Sequence, residues 1–231
     1  MKHKVFIGFD SREKIASDVC EKSLKQNSKK KIHIKLLDQK KLRSKKLYYR
    51  KFDPLSSTEF TFTRFLIPYL SKYKGWSLFC DCDFLFLEDV EKLFSLADNK
   101  YAVMCVKHDH KPNKKTKMDG SLQSNYPRKN WSSLVLWNCS HKANKKVNLK
   151  MINSKTGKYL HRFGWLKNKE IGSIPVEWNW LVGWYKEKKI NKIKALHFTE
   201  GGPWFKSCKI DKYSKMWVKF AKKYSLNFTK I

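Results

Sequence analysis

The sequence contains little arginine and none of the common glycine-rich phosphate motifs. Only six of its 51 basic residues are arginine, and the other 45 are lysines scattered over the whole chain. Proteins that bind nucleic acid usually cluster their positive charge and use arginine where phosphates or bases are held by two hydrogen bonds. The chain has no GxxxxGK loop and no GxGxxG turn, which argues against ATPase and dinucleotide chemistry. We therefore expect no specific nucleic-acid partner.

Acidic residues are also few: 20 stand against the 51 basic ones, giving a formal net charge of +31. A surface of this charge attracts phosphates, anionic polysaccharide or anionic lipid over about a Debye length, roughly 8 Å at physiological salt. An even spread of lysine is equally typical of solvated faces without a partner. The charge alone therefore assigns no function.

Targeting and disulfide signals are missing as well. No apolar run approaches the ~18 residues of a membrane span, and no signal peptide precedes the first strand-like segment. We expect a cytoplasmic protein, or one that is peripheral to a membrane. The six cysteines contain no CxxC pair for a thiolate zinc site, so in a reducing compartment they indicate small buried hydrophobic residues.

The most informative segment is WSLFCDCDFLFLED, Trp76 to Asp89, a nearly continuous apolar run of the kind found in strands buried on both faces. Asp81 and Asp83 interrupt it. Unpaired carboxylates are costly to bury, so we expect both at the end of the strand, pointing the same way towards a cation or a set of donors. Two acids at this spacing suit Mg²⁺ or Mn²⁺. The alternative is capping of the helix that follows, a role that Glu88 and Asp89 suit better.

The start of the chain indicates an α/β fold. A strand at Lys4 to Asp10, a helix, and a second strand at Ile32 to Asp38 form a βαβ unit, so the sheet should be largely parallel. Ligands of such sheets bind beyond the carboxyl ends of the strands, where Asp10 and Asp38 fall. Each of these acids is alternatively a helix cap or a turn residue. The length of 231 residues suits one large domain.

Two segments before the acidic strand leave their roles open. Lys40 to Lys51 is a basic loop with tyrosines, either a solvated connection or a flap that meets an anionic ligand. Ser56 and Glu59 form a capping box that predicts a helix, which Pro68 should bend or end. Arg64 on this helix is a candidate phosphate clamp, with a surface salt bridge as the alternative.

The second half contains further strands and one long polar segment, residues 108–130, of the kind that is often functional. Its HDH sequence, residues 108–110, would be a second metal site only with ligands from elsewhere. Tryptophans crowd the stretch from Ile174 to Tyr185, where they either stack on sugar rings or fill the core. A last strand ends at His197. The tail from Asp211 predicts an amphipathic helix that closes the fold or contacts anionic lipid.

Taken in order, six segments resemble glycosyltransferase family 8 and its bacterial relatives, which have the GT-A fold: KVFIGFDSRE, STEFTFTRFLIPYL, FCDCDFLFLED, KNWSSLVLWN, PVEWNWL and ALHFTEGGPW. The resemblance implies a single Rossmann-like domain over residues 1–231, with a mostly parallel central sheet flanked by helices. Residues 1–110 would bind the nucleotide sugar, residues 111–210 would face the acceptor, and residues 211–231 would form a helical tail.

The resemblance also implies a chemistry. The expected activity is metal-dependent, retaining transfer of a hexosyl unit from a nucleotide sugar, with a UDP sugar as the expected donor, to a hydroxyl of a surface glycan or lipid precursor. Mn²⁺, or Mg²⁺, would be held by Asp81, Asp83 and His197. The expected donor contacts are Phe9, Asp10, Arg64, Asp81, Cys82, Gly201, Gly202 and Lys206. The expected acceptor contacts are Asn130, Trp178, Asn179 and Trp204.

This chain departs from the family at two places. A family lysine directly before Pro-Trp is replaced by Gly202, so either the amides of Gly201 and Gly202 form an anion nest or Lys206 reaches the diphosphate. The acidic group near the reacting carbon has three competing candidates, which are Asp119, Glu177 and Glu200.

The chemistry favours a transferase over a glycosidase. A leaving diphosphate needs its charge neutralised, which a divalent ion and cationic side chains achieve without proton transfer. A glycosidase needs two carboxyl groups flanking the scissile bond, and Asp81 and Asp83 on one strand face cannot flank a sugar. The alternatives are a non-catalytic basic module that binds nucleic acid or anionic glycan, and a Mg²⁺-dependent nucleotidyltransferase.

Overall fold

The structure is a computed structural model that describes residues 3–54, 56–109, 116, 118, 120, 127–186 and 190–231. Nine strands occur in these residues: β1 (Lys4–Gly8), β2 (His33–Leu37), β3 (Trp76–Cys80), β4 (Phe84–Phe86), β5 (Val103–Cys105), β6 (Leu134–Asn138), β7 (Ile171–Ser173), β8 (Trp180–Leu181) and β9 (Ala195–His197). The α-helices described are α1 (Lys14–Asn27), α2 (Gln39–Ser44), α3 (Ile67–Leu70), α4 (Glu91–Phe94), α5 (Leu149–Ser154), α6 (Gly157–His161) and α7 (Lys212–Lys223). Short 3₁₀ helices join several of them.

The strands form two sheets. The larger has the order β2-β1-β3-β6-β5-β7, with parallel pairing of β1 to β2, β1 to β3 and β5 to β7, and antiparallel pairing of β6 to both its neighbours. The smaller has the order β4-β9-β8, with β4 and β9 antiparallel and β8 and β9 parallel. The expected α/β architecture with a mostly parallel central sheet flanked by helices is confirmed.

The apolar run from Trp76 to Asp89 is two strands rather than the single strand predicted. β3 lies in the larger sheet and β4 in the smaller one, and the chain leaves one sheet for the other between Cys80 and Phe84. Both strands are buried, so apart from the two acids between them the hydrophobic pattern gives no sign of the break. The two acids therefore lie at the junction of the sheets.

The predicted helix over residues 56–70 is mostly absent. The carboxylate of Glu59 accepts hydrogen bonds from the amide and hydroxyl of Ser11, so it does not form a capping box. Turns lead into a 3₁₀ helix over Thr63–Leu66, and α3 follows with Pro68 in its first turn, where a missing amide proton costs little.

The segment predicted as a loop at Lys40 to Lys51 begins with α2. Asp38 caps this helix, because its side chain accepts a hydrogen bond from the amide of Lys41. The cap interpretation of Asp38 is therefore the one that the structure supports.

The helix predicted for the tail is present as α7, and Asp211 caps it by accepting from the amide of Ser214. Its buried face, with Tyr213 and Trp217, packs in a second apolar cluster together with Trp204. No helix among the described residues is long and apolar enough to cross a bilayer.

Candidate metal centre

Asp81, Asp83 and His197 lie together where the two sheets meet. One ligand atom from each of the three residues can be chosen so that all lie within 4.8 Å of one another. The β4–β9 pairing causes this, because it places His197 directly opposite Phe84, and the two rings stack with centroids 4.4 Å apart. The backbone also fixes the acids, since Asp81 donates to the Ser133 carbonyl and the Asp83 carbonyl accepts from the Phe198 amide.

A chain of buried hydrogen bonds orients the imidazole of His197. The hydroxyl of Ser133 donates to the Asn130 carbonyl at 2.7 Å, so its oxygen accepts from Nδ2 of Asn179 at 2.9 Å. Oδ1 of Asn179 then faces Nδ1 of His197 at 2.8 Å, which places the imidazole proton on Nδ1. Nε2 of His197 is left pointing at a carboxylate oxygen of Asp83, 3.3 Å away.

This arrangement suits a cation. With the proton on Nδ1, the Nε2 lone pair faces the carboxylate oxygen of Asp83 3.3 Å away, and a metal ion between them would be bound by both. Two carboxylates and one imidazole are ligands that Mn²⁺ accepts. The residues present therefore fit a divalent ion.

Arg64 is buried and makes an ion pair inside the protein rather than on its surface. Its guanidinium donates to Asp81 at 2.8 Å and to the Ser132 carbonyl at 3.1 Å. The hydroxyl of Ser132 in turn lies 2.8 Å from Nδ1 of His161. Burial lowers the pKa of His161 to about 3, and the positive charge of Arg64 adds to the effect. His161 is therefore neutral, and the positive charge at this position is that of the Arg64 guanidinium, which is paired with Asp81.

A small cleft adjoins the three candidate ligands. It is lined by Glu13, Thr58, Phe60, Asp81, Cys82, Asp83, Thr199, Glu200, Gly201 and Phe205. Four of the 20 acidic residues of a strongly basic chain therefore line this one cleft. Concentrated negative charge on an otherwise positive protein attracts cations to this position.

Asp10, an expected donor contact, has a structural role. Its carboxylate is fully buried and accepts from the amide, Nε and Nη2 of Arg12 and from the amide of Glu59. Arg12 also donates to the carbonyl of Ser57. Asp10 thus fastens the segment that leads to Thr58 and Phe60 in the cleft wall. Phe9, another expected donor contact, is half-buried just after β1.

The proposed anion nest at the two glycines is not formed as predicted. The amide of Gly201 already donates to the Phe198 carbonyl at 2.8 Å, so it is not available to a phosphate. Gly201 has a φ of 112°, which favours glycine, and a Cβ on Gly202 would lie 2.3 Å from the Trp204 ring. The glycines here allow close packing. Lys206 is exposed, and its side chain has no ion-pair partner among the described residues.

Three of the four expected acceptor contacts are interior residues. Trp178, Asn179 and Trp204 are buried, and Nε1 of Trp204 donates to the Glu13 carboxylate at 2.9 Å. Their side chains pack in the protein, and Asn179 contacts the imidazole of His197. Asn130 is half-buried in a left-handed conformation, and its carbonyl ends the hydrogen-bond chain from His197.

The three candidates for the acidic group near the reacting carbon are separated by their positions. Glu200 lines the cleft beside Asp81 and Asp83. Glu177 is half-buried in the 3₁₀ helix Val176–Trp178, and its carbonyl accepts from the Lys194 amide. Asp119 lies outside the described residues.

The HDH segment forms no second metal site within the described part of the chain. Nδ1 of His108 lies 2.6 Å from the Tyr185 hydroxyl, Asp109 is exposed, and His110 lies outside the described residues.

The cysteines are buried as expected, and burial raises the pKa of Cys20, Cys80, Cys82, Cys105 and Cys139.

Ser133 and Glu13 belong to the site although the sequence did not single them out. Ser133 is a polar residue just before the buried strand β6, and Glu13 is a buried acid in the 3₁₀ helix before α1. A polar residue beside a buried apolar strand is the sequence signal that would have identified Ser133.

No protein-family model matches the chain. Protein CDI of Arabidopsis thaliana is 47% identical over 225 residues, which cover 96% of this chain and 87% of that protein. Among solved structures, galactosyltransferase LgtC in complex with donor and acceptor sugar analogs superposes with a TM-score of 0.61 at 11% identity, covering 95% of both chains.

Two further similar structures are larger proteins. The glycosyltransferase GlyE of Streptococcus pneumoniae matches with a TM-score of 0.63 at 15% identity over 100% of this chain and 65% of its own. The bifunctional glycosyltransferase WbbM matches with a TM-score of 0.64 at 15% identity over 95% of this chain and 49% of its own. At these identities the likeness shows a shared fold, and the chain spans only about half to two thirds of these two proteins.

Proposed function

The chain belongs to the family of Protein CDI from Arabidopsis thaliana, and we propose that it is a metal-dependent glycosyltransferase. In this proposal it transfers a hexosyl unit, with retention of configuration, from a nucleotide sugar to a hydroxyl of a surface glycan or lipid precursor. A UDP sugar is the proposed donor, and Mn²⁺ or Mg²⁺ the proposed cofactor.

One observation carries the proposal: Asp81, Asp83 and His197 converge at the junction of the two sheets, in a fold shared with several glycosyltransferases. The basic binding module and the nucleotidyltransferase have no such support among these neighbours. The concentration of acids in the cleft also argues against a site built to bind nucleic acid directly.

Each residue of the centre has a proposed task. Asp81, Asp83 and His197 would hold the ion, which when bound neutralises the negative charge of the leaving diphosphate. Arg64 holds Asp81 in place, and Asn179 keeps the proton on Nδ1 of His197 so that Nε2 faces inwards. Thr58, Phe60 and Cys82 in the cleft wall are the proposed donor contacts.

Glu200 is our proposal for the acidic group near the reacting carbon, because it is the one of the two described candidates that lines the cleft. A carboxylate there would stabilise positive charge that develops on the sugar as the bond to the diphosphate breaks. Glu200→Gln should therefore lower kcat more than it raises KM.

The test is nucleotide release from a panel of UDP, GDP and CDP sugars in the presence of Mn²⁺. The wild-type protein should release one nucleotide preferentially, and removing the ion with a chelator should stop the release. Asp83→Asn should abolish the activity without unfolding the protein, because it removes a proposed ligand and keeps the volume of the side chain.

The matched control is Asp98→Asn, which changes an exposed aspartate that pairs with Lys100. This variant should release nucleotide like the wild type. Full activity of Asp83→Asn, or metal-independent release by the wild type, would contradict the proposal.

A further inference from the structure

The most basic part of the chain also displays the most exposed aromatic residue among those that the structure describes. Residues 39–52, which we call the basic strap, contain five lysines, two arginines and no acid. The strap comprises α2 and the segment that follows it. Phe52 is 85% exposed and Tyr49 is 59% exposed, so two large aromatic side chains of this segment face solvent.

The strap has a fixed conformation because its arginines make internal contacts. Arg43 donates to the Arg50 carbonyl at 2.7 Å and its guanidinium lies 4.6 Å from the buried ring of Tyr48. Arg50 donates to the Lys155 carbonyl at 2.7 Å and stacks 3.8 Å from the Phe62 ring. Phe52 is therefore exposed on a segment whose arginines are bonded to the rest of the protein.

The lysines of the strap, in contrast, face solvent. Lys40, Lys45, Lys46 and Lys51 are exposed and make no ion pair with any described residue, and Lys41 approaches Asp38 only at 3.7 Å. The amide of Tyr49 donates to Asn153 of α5 at 2.7 Å, so α5, with its one lysine, the exposed Lys150, lies beside the strap. The result is a basic surface that also carries two exposed aromatic side chains, Tyr49 and Phe52.

We propose that the basic strap docks on an anionic lipid membrane. Lysines near a negatively charged bilayer are attracted without specific geometry, and aromatic rings settle at the interface between headgroups and acyl chains. Recognition of nucleic acid would favour free arginine forks, and both arginines of the strap are occupied. This combination fits a lipid surface better than a polynucleotide.

Docking at the strap would affect the candidate metal centre through chain connectivity. The strap continues into the segment that Arg12 fastens at Ser57, and Thr58 and Phe60 line the cleft. Docking would thus hold the protein at a segment that lies only a few residues along the chain from one wall of the cleft. The docking proposal itself requires no glycosyltransferase activity.

The first test is co-sedimentation with vesicles of phosphatidylcholine alone and of phosphatidylcholine mixed with phosphatidylserine, at physiological salt. We expect binding to the mixed vesicles only. Replacing Lys40, Lys45, Lys46 and Lys51 by Gln should weaken it at least about tenfold, because each lysine near an anionic surface contributes roughly fivefold.

Two controls match the variants in charge and in polarity. The first control replaces four exposed lysines of α7 by Gln and so removes the same charge from another element: Lys215, Lys219, Lys222 and Lys223. This variant should keep most of the binding. Phe52→Ser should weaken binding, whereas Ile210→Ser, at another exposed apolar residue, should not.

Insertion is measured with a polarity-sensitive fluorophore on a single introduced cysteine, which is feasible because all six native cysteines are buried. Emission from a probe at Phe52→Cys should shift to the blue on mixed vesicles, and emission from a probe at Ile210→Cys should not. No binding to mixed vesicles, equal losses in the two lysine variants, or an unshifted probe at position 52 would overturn the proposal. So would binding to DNA or RNA oligonucleotides at physiological salt without binding to the vesicles.

Discussion

The strongest prediction of the structure concerns Asn179, which is not a candidate ligand itself but makes one hydrogen bond to the imidazole of His197. Asn179→Leu keeps the volume of a fully buried side chain and removes the acceptor for Nδ1 of His197. An unsatisfied buried donor costs about 1–3 kcal/mol of unfolding free energy. The imidazole can avoid this cost by moving its proton to Nε2, which then cannot bind an ion. We expect affinity for Mn²⁺ to fall about 10–100-fold, as for other groups that orient a metal-bound histidine.

The assay is calorimetric titration of Mn²⁺ into the purified protein, paired with urea unfolding. Asn144→Leu is the matched control, because Asn144 is equally buried and its amide donates to the carbonyls of Ala102 and Asn138. That variant should lose stability while it binds Mn²⁺ like the wild type. Asn179→Asp restores an acceptor for Nδ1 and should retain most of the affinity.

The tautomer of His197 can be read directly from nitrogen chemical shifts in the metal-free protein. The wild type should carry the proton on Nδ1, and Asn179→Leu should not hold it there. Unchanged Mn²⁺ affinity in Asn179→Leu, or a wild-type proton on Nε2, would refute the reasoning about this hydrogen-bond chain.

Three further predictions concern stability, each measured by urea unfolding. Arg64→Met should cost about 3 kcal/mol because it leaves the mostly buried Asp81 without its cation, and adding Asp81→Asn should recover part of that loss; additive losses would contradict this. Gly202→Ala should cost about 3 kcal/mol, since its Cβ would meet the Trp204 ring, and wild-type stability would show that the ring moves freely. The pKa of His161 is about 3 when folded and 6.5 as its ordinary value, so the unfolded chain gains the proton first and stability falls as pH drops below about 6.5. The loss should reach about 2 kcal/mol at about pH 5, and His161→Gln should remove this part of the pH dependence.

The acids of the site could be predicted from the sequence because their contrast with the surroundings is local. Asp81 and Asp83 stand in a run of apolar residues, where an ionised group needs a specific reason. The break between β3 and β4 could not be predicted in the same way. Both strands are buried, so their apolar residues form one pattern although the strands belong to different sheets.

Long-range hydrogen bonds explain two other differences between the predicted and the observed structure, the missing capping box and the role of Asn179. Ser56 and Glu59 fit a capping box, but Glu59 binds Ser11 instead, and its amide is held by Asp10. No local pattern contains these partners, which are far apart in the sequence. The role of Asn179 could not be predicted from local sequence either, because only the fold brings it between His197 and Ser133. We expected an acceptor contact, and in the structure Asn179 orients the imidazole.

The pairing register of β4 and β9 connects the fold to the candidate metal centre. Phe84 lies opposite His197, and Asp83 immediately precedes Phe84 in the chain. Side chains alternate along a strand, so a slip of one residue would turn His197 to the other face of the smaller sheet and away from Asp83. The stacking of Phe84 on His197 and the bond from the Phe198 amide to the Asp83 carbonyl both oppose such a slip. Contacts in the core therefore determine the distance between ligands that are more than a hundred residues apart in the sequence.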